Sequence, residues 1–424
     1  MRVLFTTRPE KTPFLTMAPL AWALVAGGHE VTFACQPKFA GVVTQAGLTA
    51  VPVGGDRDLF QLLEADPESL EEGRSGVPEP YDAAVEREKA TWDHLVNGYD
   101  VAVTWWHKLE NLPMIADLVE FARAWRPDLV IWEPTTYAGA IAAKACGAVH
   151  ARLLHSLDVF GVTRELFLRL KDDRPEDPLA DWLGSYAARY GAGYTEDMAT
   201  GHFTIDQLPG SLALRPGPGH LRMRYVPYGG PAVVPGWLTR PPDRPRVALT
   251  PGLVYHESDE EDERFDDYVG ELQGLLDTIS ALDIEIVATI ADKERRKLAR
   301  VPPNLRIVPY VPLQPLLSTC VAAVHHAGPG TLATVSLMGV PQLALPWEVD
   351  EPALAERLAR HGAGLALDSG EATDELVRDS LARLLDEPSF RERAADLREE
   401  MLELPSPNQL VRRLEELVGE HRVR

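Results

Sequence analysis

Short apolar strands alternate with helix-length segments along nearly the whole chain, and this alternation constrains the fold more than any other feature. Strand, helix and strand in succession close into a crossover whose product is a parallel sheet. The opening reads Val3–Thr7 as a strand, Ala18–Ala26 as a helix with apolar residues at helical spacing, Gly27-Gly28 as its stop and Glu30–Cys35 as the next strand. The pattern returns with a helix at Leu118–Trp125, a strand at Asp128–Trp132, a helix at Tyr137–Ala145 closed by Gly147, and a strand at His150–Leu154. Two insertions, the acidic and aromatic residues 56–115 and the segment 159–205 with Trp182, Tyr186 and Tyr190, read as irregularly helical. Such insertions at strand ends commonly line ligand clefts.

Proline and glycine interrupt the alternation over 215–245, where Pro216, Pro218, Pro227, Pro231, Pro235, Pro241, Pro242 and Pro245 leave no room for a regular element. This segment reads as an interdomain linker. A second series follows, with strands at Val247–Thr250, Glu285–Thr289, Arg306–Pro309, Ala322–His325 and Gln342–Leu345. Helices are predicted at Asp374–Leu385, Ser389–Leu402 and Asn408–His421, the last two separated by Pro405-Ser406-Pro407. The expected fold class is α/β, with two Rossmann-like domains facing a cleft. The expected bounds are 1–225 for the N-terminal domain, 226–245 for the linker, 246–404 for the C-terminal domain and 405–424 for the last helix.

Charge narrows the partners. The 424 residues carry a net charge of −22, a surface that repels phosphate backbones and anionic lipid, so neither nucleic acid nor a membrane surface is an expected partner. A small anion is still welcome, because a helix N-terminus can hold a phosphate whatever the global charge. Cys35, Cys146 and Cys320 each stand alone, which argues against a disulfide framework or structural zinc. The longest mostly apolar run, Met17–Ala26, is too short to span a bilayer. A reduced, cytoplasmic protein is expected.

The chemistry concentrates at Ala322-Ala323-Val324-His325-His326-Ala327-Gly328-Pro329-Gly330-Thr331, a buried strand running into a glycine turn that opens the helix Leu332–Met338. Gly328 and Gly330 permit close backbone approach, and the new helix offers unsatisfied N–H groups with partial positive charge. Thr331 adds a hydroxyl and His326 a donor able to become cationic. The pattern fits a diphosphate and is neither a dinucleotide fingerprint nor a Walker A loop. Asp56-Arg57-Asp58 spells a possible metal-binding D-x-D, but it follows Gly54-Gly55 and reads as an exposed turn.

Val324–Thr331, Gly339-Val340-Pro341-Gln342, Leu345-Pro346, Asp350 and Gly362-Ala363-Gly364 together resemble the nucleotide-sugar-binding half of the GT-B family 1 glycosyltransferases. Further motifs extend the likeness to most of the chain. Pro19–Leu24, Thr91–Leu95, Trp125–Pro134, Met223–Tyr228 and Pro405-Ser406-Pro407 are similar to the actinobacterial deoxysugar transferases of macrolide and anthracycline biosynthesis. The resemblance implies a GT-B fold whose C-terminal helices return to the N-terminal domain. It implies a dTDP-sugar donor, a hydrophobic polyketide acceptor, an inverting displacement, no metal and no cofactor beyond the donor. His326, Ala327, Gly328, Gly330 and Thr331 would hold the diphosphate, Tyr310 and Val311 the base, and Asp350 and Glu356 the sugar hydroxyls. Glu356 replaces the glutamine common in the family, and the alternatives for the acidic pair are a helix cap at Asp350 and a solvated charge at Glu356. Some relatives need an auxiliary activator protein and many dimerise, so both are implied partners.

An inverting transferase also needs a base for the acceptor's proton. The family places a histidine in the loop after the first strand, where this chain has Pro13, which accepts no proton. Glu133 matches the family's base-supporting carboxylate and would act alone if burial against Trp132 raised its pKa toward neutrality. A second arrangement makes His155 the base with Asp158 orienting it, although Asp158 also suits the cap of a helix starting at Val159. After the strand Val247–Thr250, Gly252-Leu253-Val254 lacks the hydroxyl often found near the phosphates. Two other functions fit the same fold: an auxiliary homologue with little transferase activity, and a nucleotide-sugar epimerase. The aromatics Trp92, Trp105, Trp106, Trp182 and Tyr186 suit either a flat apolar acceptor or plain packing.

Overall fold

Val3, Leu4 and Phe5 are wholly buried, and so are Leu129, Val130, Ile131 and Trp132. Strands apolar on both faces belong inside a parallel sheet covered by helices on each side. The computed structural model describes residues 1–56, 76–214, 219–250, 264–368 and 372–423, and it gathers these strands into two sheets.

The chain divides into two compact units, Met1–Gly230 with Leu404–Arg424, and Pro231–Glu403. In the first unit the strands are β1 (Arg2–Thr6), β2 (Glu30–Cys35), β3 (Ala50–Pro52), β4 (Leu129–Trp132), β5 (Val149–Leu153), β6 (Phe203–Asp206) and β7 (His220–Arg222). All pair in parallel, in the order β3-β2-β1-β4-β5-β6-β7. The second unit holds β8 (Arg246–Thr250), β9 (Glu285–Thr289), β10 (Leu305–Val308), β11 (Cys320–His325), β12 (Gln342–Ala344) and β13 (Gly364–Ala366), parallel in the order β10-β9-β8-β11-β12-β13. Each sheet reverses direction beside its first strand, between β1 and β4 and between β8 and β11. Ligands of open α/β sheets bind outside the carboxyl ends of the strands at such a switch point.

The helix after β1 runs Lys11–Ala26, so it begins seven residues earlier than the sequence pattern predicts. Pro13 lies in its first turn, where the missing N–H would have had no helical partner, and so it does not delay the start. The residues expected to form a loop shrink to Thr7–Glu10. Strands β3, β7 and β13 escape sequence reading because they are three-residue edge strands, too short to show a period. Strand β7 also places a regular element inside the proline-rich segment 215–245.

The first core stacks Phe5 on Phe33 with centroids 4.8 Å apart and sets Phe14 edge-on to Phe33 at 5.2 Å. The last helix, Pro407–Val423, adds Leu410, Val411, Leu414, Leu417 and Val418 to that same core. The C-terminal helix therefore returns to the N-terminal unit. In the second unit Val247, Leu249, Ile286, Val324 and Leu343 pack with Leu272, Leu276 and Ile279 of the helix Arg264–Ile279. Among the described residues no helix is long and apolar enough to cross a membrane.

Candidate active site

In the second unit the polypeptide leaves β11 at the switch point and turns into the helix Pro329–Leu337, with Gly328 at its N-cap. A buried hydrogen-bond chain fixes this turn. The Ala327 N–H donates to His325 Nδ1 at 3.0 Å, His325 Nε2 lies 2.8 Å from Gln342 Oε1, and Gln342 Nε2 donates to Ser336 Oγ at 2.9 Å. The first of these contacts makes Nδ1 an acceptor, so the imidazole proton sits on Nε2. Ala327 is thereby held at φ 69°, a left-handed conformation rare for a residue with a Cβ. His325, read as one of a pair of histidines, is thus the strut of the turn. His326 is the histidine free of that chain. Its ring lies over Gly328, where a Cβ would come within 2.2 Å of Nε2, so any larger residue there would displace the imidazole.

His326 Nε2 stands 3.4 Å from Glu351 Oε1, while Glu351 Oε2 accepts the N–H groups of Trp347 and Glu348 at 2.9 and 3.1 Å. Burial lowers the His326 pKa to about 4, so the ring is neutral near pH 7, against the expectation of a cationic donor. Burial likewise pushes the Glu351 carboxyl up to about 8, with Glu348 and Asp350 adding repulsion. Sequence reading missed Glu351, whose only signal was its place at the start of the helix Glu351–His361. Asp350 is the N-cap residue of that helix but makes no side-chain capping bond. Glu356 lies on the exposed face of the helix and pairs with Arg360 at 3.2 Å. Val311 is buried, whereas Tyr310 is 46% exposed on the loop after β10. Leu253 and Val254 lie outside the described residues, as do Arg57 and Asp58; Asp56 accepts the Lys38 N–H at 2.8 Å.

In the first unit a polar cluster forms at the carboxyl ends of β1, β4 and β5. Glu133 is wholly buried, and its Oε2 accepts the hydroxyls of Thr135 and Thr136 at 2.8 and 2.9 Å. Its Oε1 lies 3.9 Å from His155 Nδ1. Desolvation would raise the Glu133 pKa, but Arg8, His155 and the two threonines together hold it below the ordinary carboxylate value. The expectation that Glu133 reaches neutrality is therefore corrected. Arg8, from the loop after β1, places Nη1 3.5 Å from Thr135 Oγ1 and 3.7 Å from Glu110 Oε1, with Nε 2.8 Å from Glu10 Oε2. Among the described residues, Glu133 Oε1, Glu110 Oε2 and the hydroxyls of Thr6, Thr7 and Ser156 are buried without a hydrogen-bond partner. Buried polar atoms normally have partners, so these five call for a ligand or for water.

Asp158 does not orient His155. Arg152 grips it with Nη1 and Nη2, each at 2.9 Å, and its Oδ1 caps the helix Val159–Lys171 by accepting the Gly161 N–H at 2.9 Å. This pairing, with His220 3.4 Å away, holds the Asp158 pKa far below its ordinary value despite burial. The carboxylate beside His155 is Glu133. Of the aromatics expected to face an acceptor, Trp182 is 5% exposed and packs edge-on to Tyr137, whereas Trp105 is 70% exposed.

His150, Asp197 and His202 lie close enough together to suggest a metal site. His150 Nδ1 accepts from Trp132 Nε1 at 3.2 Å, which leaves the ring proton on Nε2, 2.9 Å from Asp197 Oδ2. Lys144 Nζ shares that oxygen at 3.0 Å. The trio is a closed hydrogen-bond network at the amino-terminal end of β5, away from the strand ends that hold Glu133.

The whole chain resembles proteins of one kind. The family model described as erythromycin biosynthesis protein CIII-like, N-terminal domain, matches residues 22–252, and its C-terminal counterpart matches 273–417. The chain is 42% identical over 433 residues to 10-deoxymethynolide desosaminyltransferase of Streptomyces venezuelae, covering 100% of this chain and 98% of that relative. It is also 42% identical over 435 residues to aclacinomycin-T 2-deoxy-L-fucose transferase of Streptomyces galilaeus, covering 100% and 97%. Glycosyltransferase VinC, solved in complex with dTDP, superposes with a TM-score of 0.85 at 38% identity over 99% of this chain and 100% of that one. Spinosyn forosaminyltransferase SpnP gives 0.80 at 40% identity, covering 99% of each.

Proposed function

Because the chain belongs to the erythromycin biosynthesis protein CIII-like family and is a glycosyltransferase of the GT-B fold, we propose that it moves a deoxysugar from a dTDP-sugar to a hydroxyl of a hydrophobic polyketide, with inversion and without a metal. The observation that carries this reading is the turn Ala327–Thr331 at the switch point of the second sheet. Its backbone N–H groups and helix terminus suit a diphosphate, and VinC, which shares the fold, was solved with dTDP.

In this reading His326, Ala327, Gly328, Gly330 and Thr331 hold the two phosphates, and Tyr310 and Val311 receive the thymine. Asp350 meets the donor sugar, and Glu356 joins it only by releasing Arg360. The acceptor oxygen attacks the anomeric carbon opposite the diphosphate through an oxocarbenium-like transition state. The leaving diphosphate's charge falls on the helix terminus, a preorganised dipole that can stand where other enzymes place a cation. In the first unit His155 holds the acceptor's hydroxyl and Glu133, kept ionised, positions the imidazole. The enzyme works in the cytoplasm as a homodimer, and an activator protein assists it.

Thermal stabilisation by dTDP, UDP and GDP, with and without magnesium, tests the donor assignment. A ligand at 100 times its Kd adds about 2.7 kcal/mol to the native state. The expected result is a shift with dTDP that exceeds the others and does not depend on magnesium. No shift with any nucleotide overturns the reading.

A further inference from the structure

We propose that Glu110 is the catalytic residue that takes the acceptor's proton, in place of the histidine that Pro13 displaces. This rests on the glycosyl-transfer reading above. Glu110 is the third residue of the helix Lys108–Trp125, which continues directly from a π-helical turn at Val103–His107. Such widened turns recur at functional sites because they re-aim the side chains that follow.

Charges are unbalanced inside this cluster. Three carboxylates, Glu10, Glu110 and Glu133, surround the single guanidinium of Arg8. They cannot all be ionised without a large desolvation cost, so the least supported one carries a proton. Glu10 meets Arg8 Nε at 2.8 Å and keeps 26% of its side chain open to solvent. Glu133 has two hydroxyl donors and His155 beside it. Glu110 has only the 3.7 Å approach of Arg8 and a bond from the Trp106 side chain, and among the described residues its Oε2 has neither solvent nor a partner. Lys144, the charged residue of the helix Ala138–Cys146 that packs along Lys108–Trp125, is committed to Asp197.

Desolvation accordingly pushes the Glu110 carboxyl up to about 7, an elevation that burial alone would have given Glu133. A base is most effective when its pKa lies near the working pH. In the step itself the acceptor oxygen bonds to the anomeric carbon while the bond from that carbon to the diphosphate oxygen breaks. The diphosphate keeps the bonding pair, and the acceptor's proton passes to the Glu110 carboxyl, 10% of whose side chain is open to solvent, from which it leaves to water once the product has gone. His155 orients the hydroxyl and Glu133 orients His155.

The test combines a titration that needs no acceptor with a transfer assay. Carbon-13 NMR of glutamate-labelled full-length protein should show, beside that of Glu351 near pH 8, one side-chain carboxyl titrating near pH 7, absent in Glu110→Gln and retained in His155→Ala and in Glu351→Gln. No such resonance in the parent overturns the proposal. Transfer is then measured with dTDP-desosamine and dTDP-2-deoxyfucose as donors and 10-deoxymethynolide and aklavinone as acceptors. Glu110→Gln should lower kcat about 100-fold and abolish the rise of kcat/KM with pH near 7, with dTDP binding and melting temperature unchanged or higher. A rise that survives in Glu110→Gln and vanishes in His155→Ala makes His155 the base and overturns the proposal. A lowered melting temperature together with the lost activity makes Glu110 a structural group and also overturns it. A parent that transfers nothing sinks the transferase reading and the base with it, and the intact titration distinguishes that failure from a misplaced proton.

Discussion

Raising the pH above 8 should weaken dTDP binding, and Glu351 is the cause. At pH 7 the proposed diphosphate site presents two neutral side chains, His326 with its pKa lowered to about 4 and Glu351 with its carboxyl raised to about 8. Neither opposes an anion, and the helix terminus supplies the attraction. Above pH 8 Glu351 ionises with His326 Nε2 only 3.4 Å from its Oε1, so a negative charge appears one side chain away from the phosphates. For unit charges roughly 7 Å apart at an effective dielectric near 20, Coulomb's law gives ~2.4 kcal/mol of repulsion. By linkage, bound dTDP must then raise the Glu351 pKa by about 1.7 units, because one unit is about 1.36 kcal/mol. Integrating between pH 7 and 9, the Kd for dTDP should rise about eightfold, since the free protein loses its proton before the complex does. The nucleotide adds little to the change, because a terminal phosphate with a pKa near 6 is already about 90% ionised at pH 7. Isothermal calorimetry at matched ionic strength reads both the affinity and the proton taken up on binding near pH 8.5. Glu351→Gln should bind dTDP with an affinity independent of pH. A flat profile in the parent, or the same loss in Glu351→Gln, would refute the reasoning.

His326→Ala should weaken dTDP by roughly 1–3 kcal/mol, the worth of one hydrogen bond to a charged acceptor, with the melting temperature of the free protein little changed; an unaltered Kd in calorimetry removes His326 from the site. Asp158→Asn should cost about 3–5 kcal/mol of stability in urea unfolding by stranding the buried Arg152 guanidinium, yet leave dTDP affinity intact. The folded-state pKa of Asp158 is depressed, so its contribution is present above the unfolded value near 4 and fades as pH falls through the folded one. The variant's stability should therefore change less than the parent's on acidification below about pH 4, and an equal dependence in both would rule out the pairing as the source.

The α/β alternation was legible because the central strands announce themselves locally. Leu129–Trp132 and Val3–Phe5 are buried on both faces, and glycine or proline marks where each run stops. The turn at Ala327–Thr331 was legible for the same reason, since strand, glycine and helix start are consecutive. What stayed hidden depends on partners distant in sequence. Asp158 reads equally well as a cap or as a partner for His155 until Arg152 is seen to hold it. Glu133 looks like a carboxyl raised by burial until Arg8, Thr135 and Thr136 are counted around it. Glu351 and Glu110 had no motif at all, because an acidic residue near a helix start is ordinarily a solvated charge.

Pro13 stands where the resemblance implies a histidine, and its position explains why the fold accepts it. Pro13 is buried in the first turn of Lys11–Ala26, a position that asks only for a compatible φ and no N–H. In the proposed transfer the acceptor's proton needs a group with a pKa near neutrality, and three carboxylates crowded around one arginine would supply it. Glu10, Glu110 and Glu133 come from a loop, a helix and a strand end, so the property belongs to their assembly and to no single residue. Removing either neighbour should therefore move it: Glu133→Gln relieves repulsion and lowers the Glu110 pKa, whereas Arg8→Gln removes the cation paired with it and raises it. Opposite displacements of the carboxyl titration in these two variants would establish that the cluster acts as one electrostatic unit, and displacements of the same sign would dissolve it.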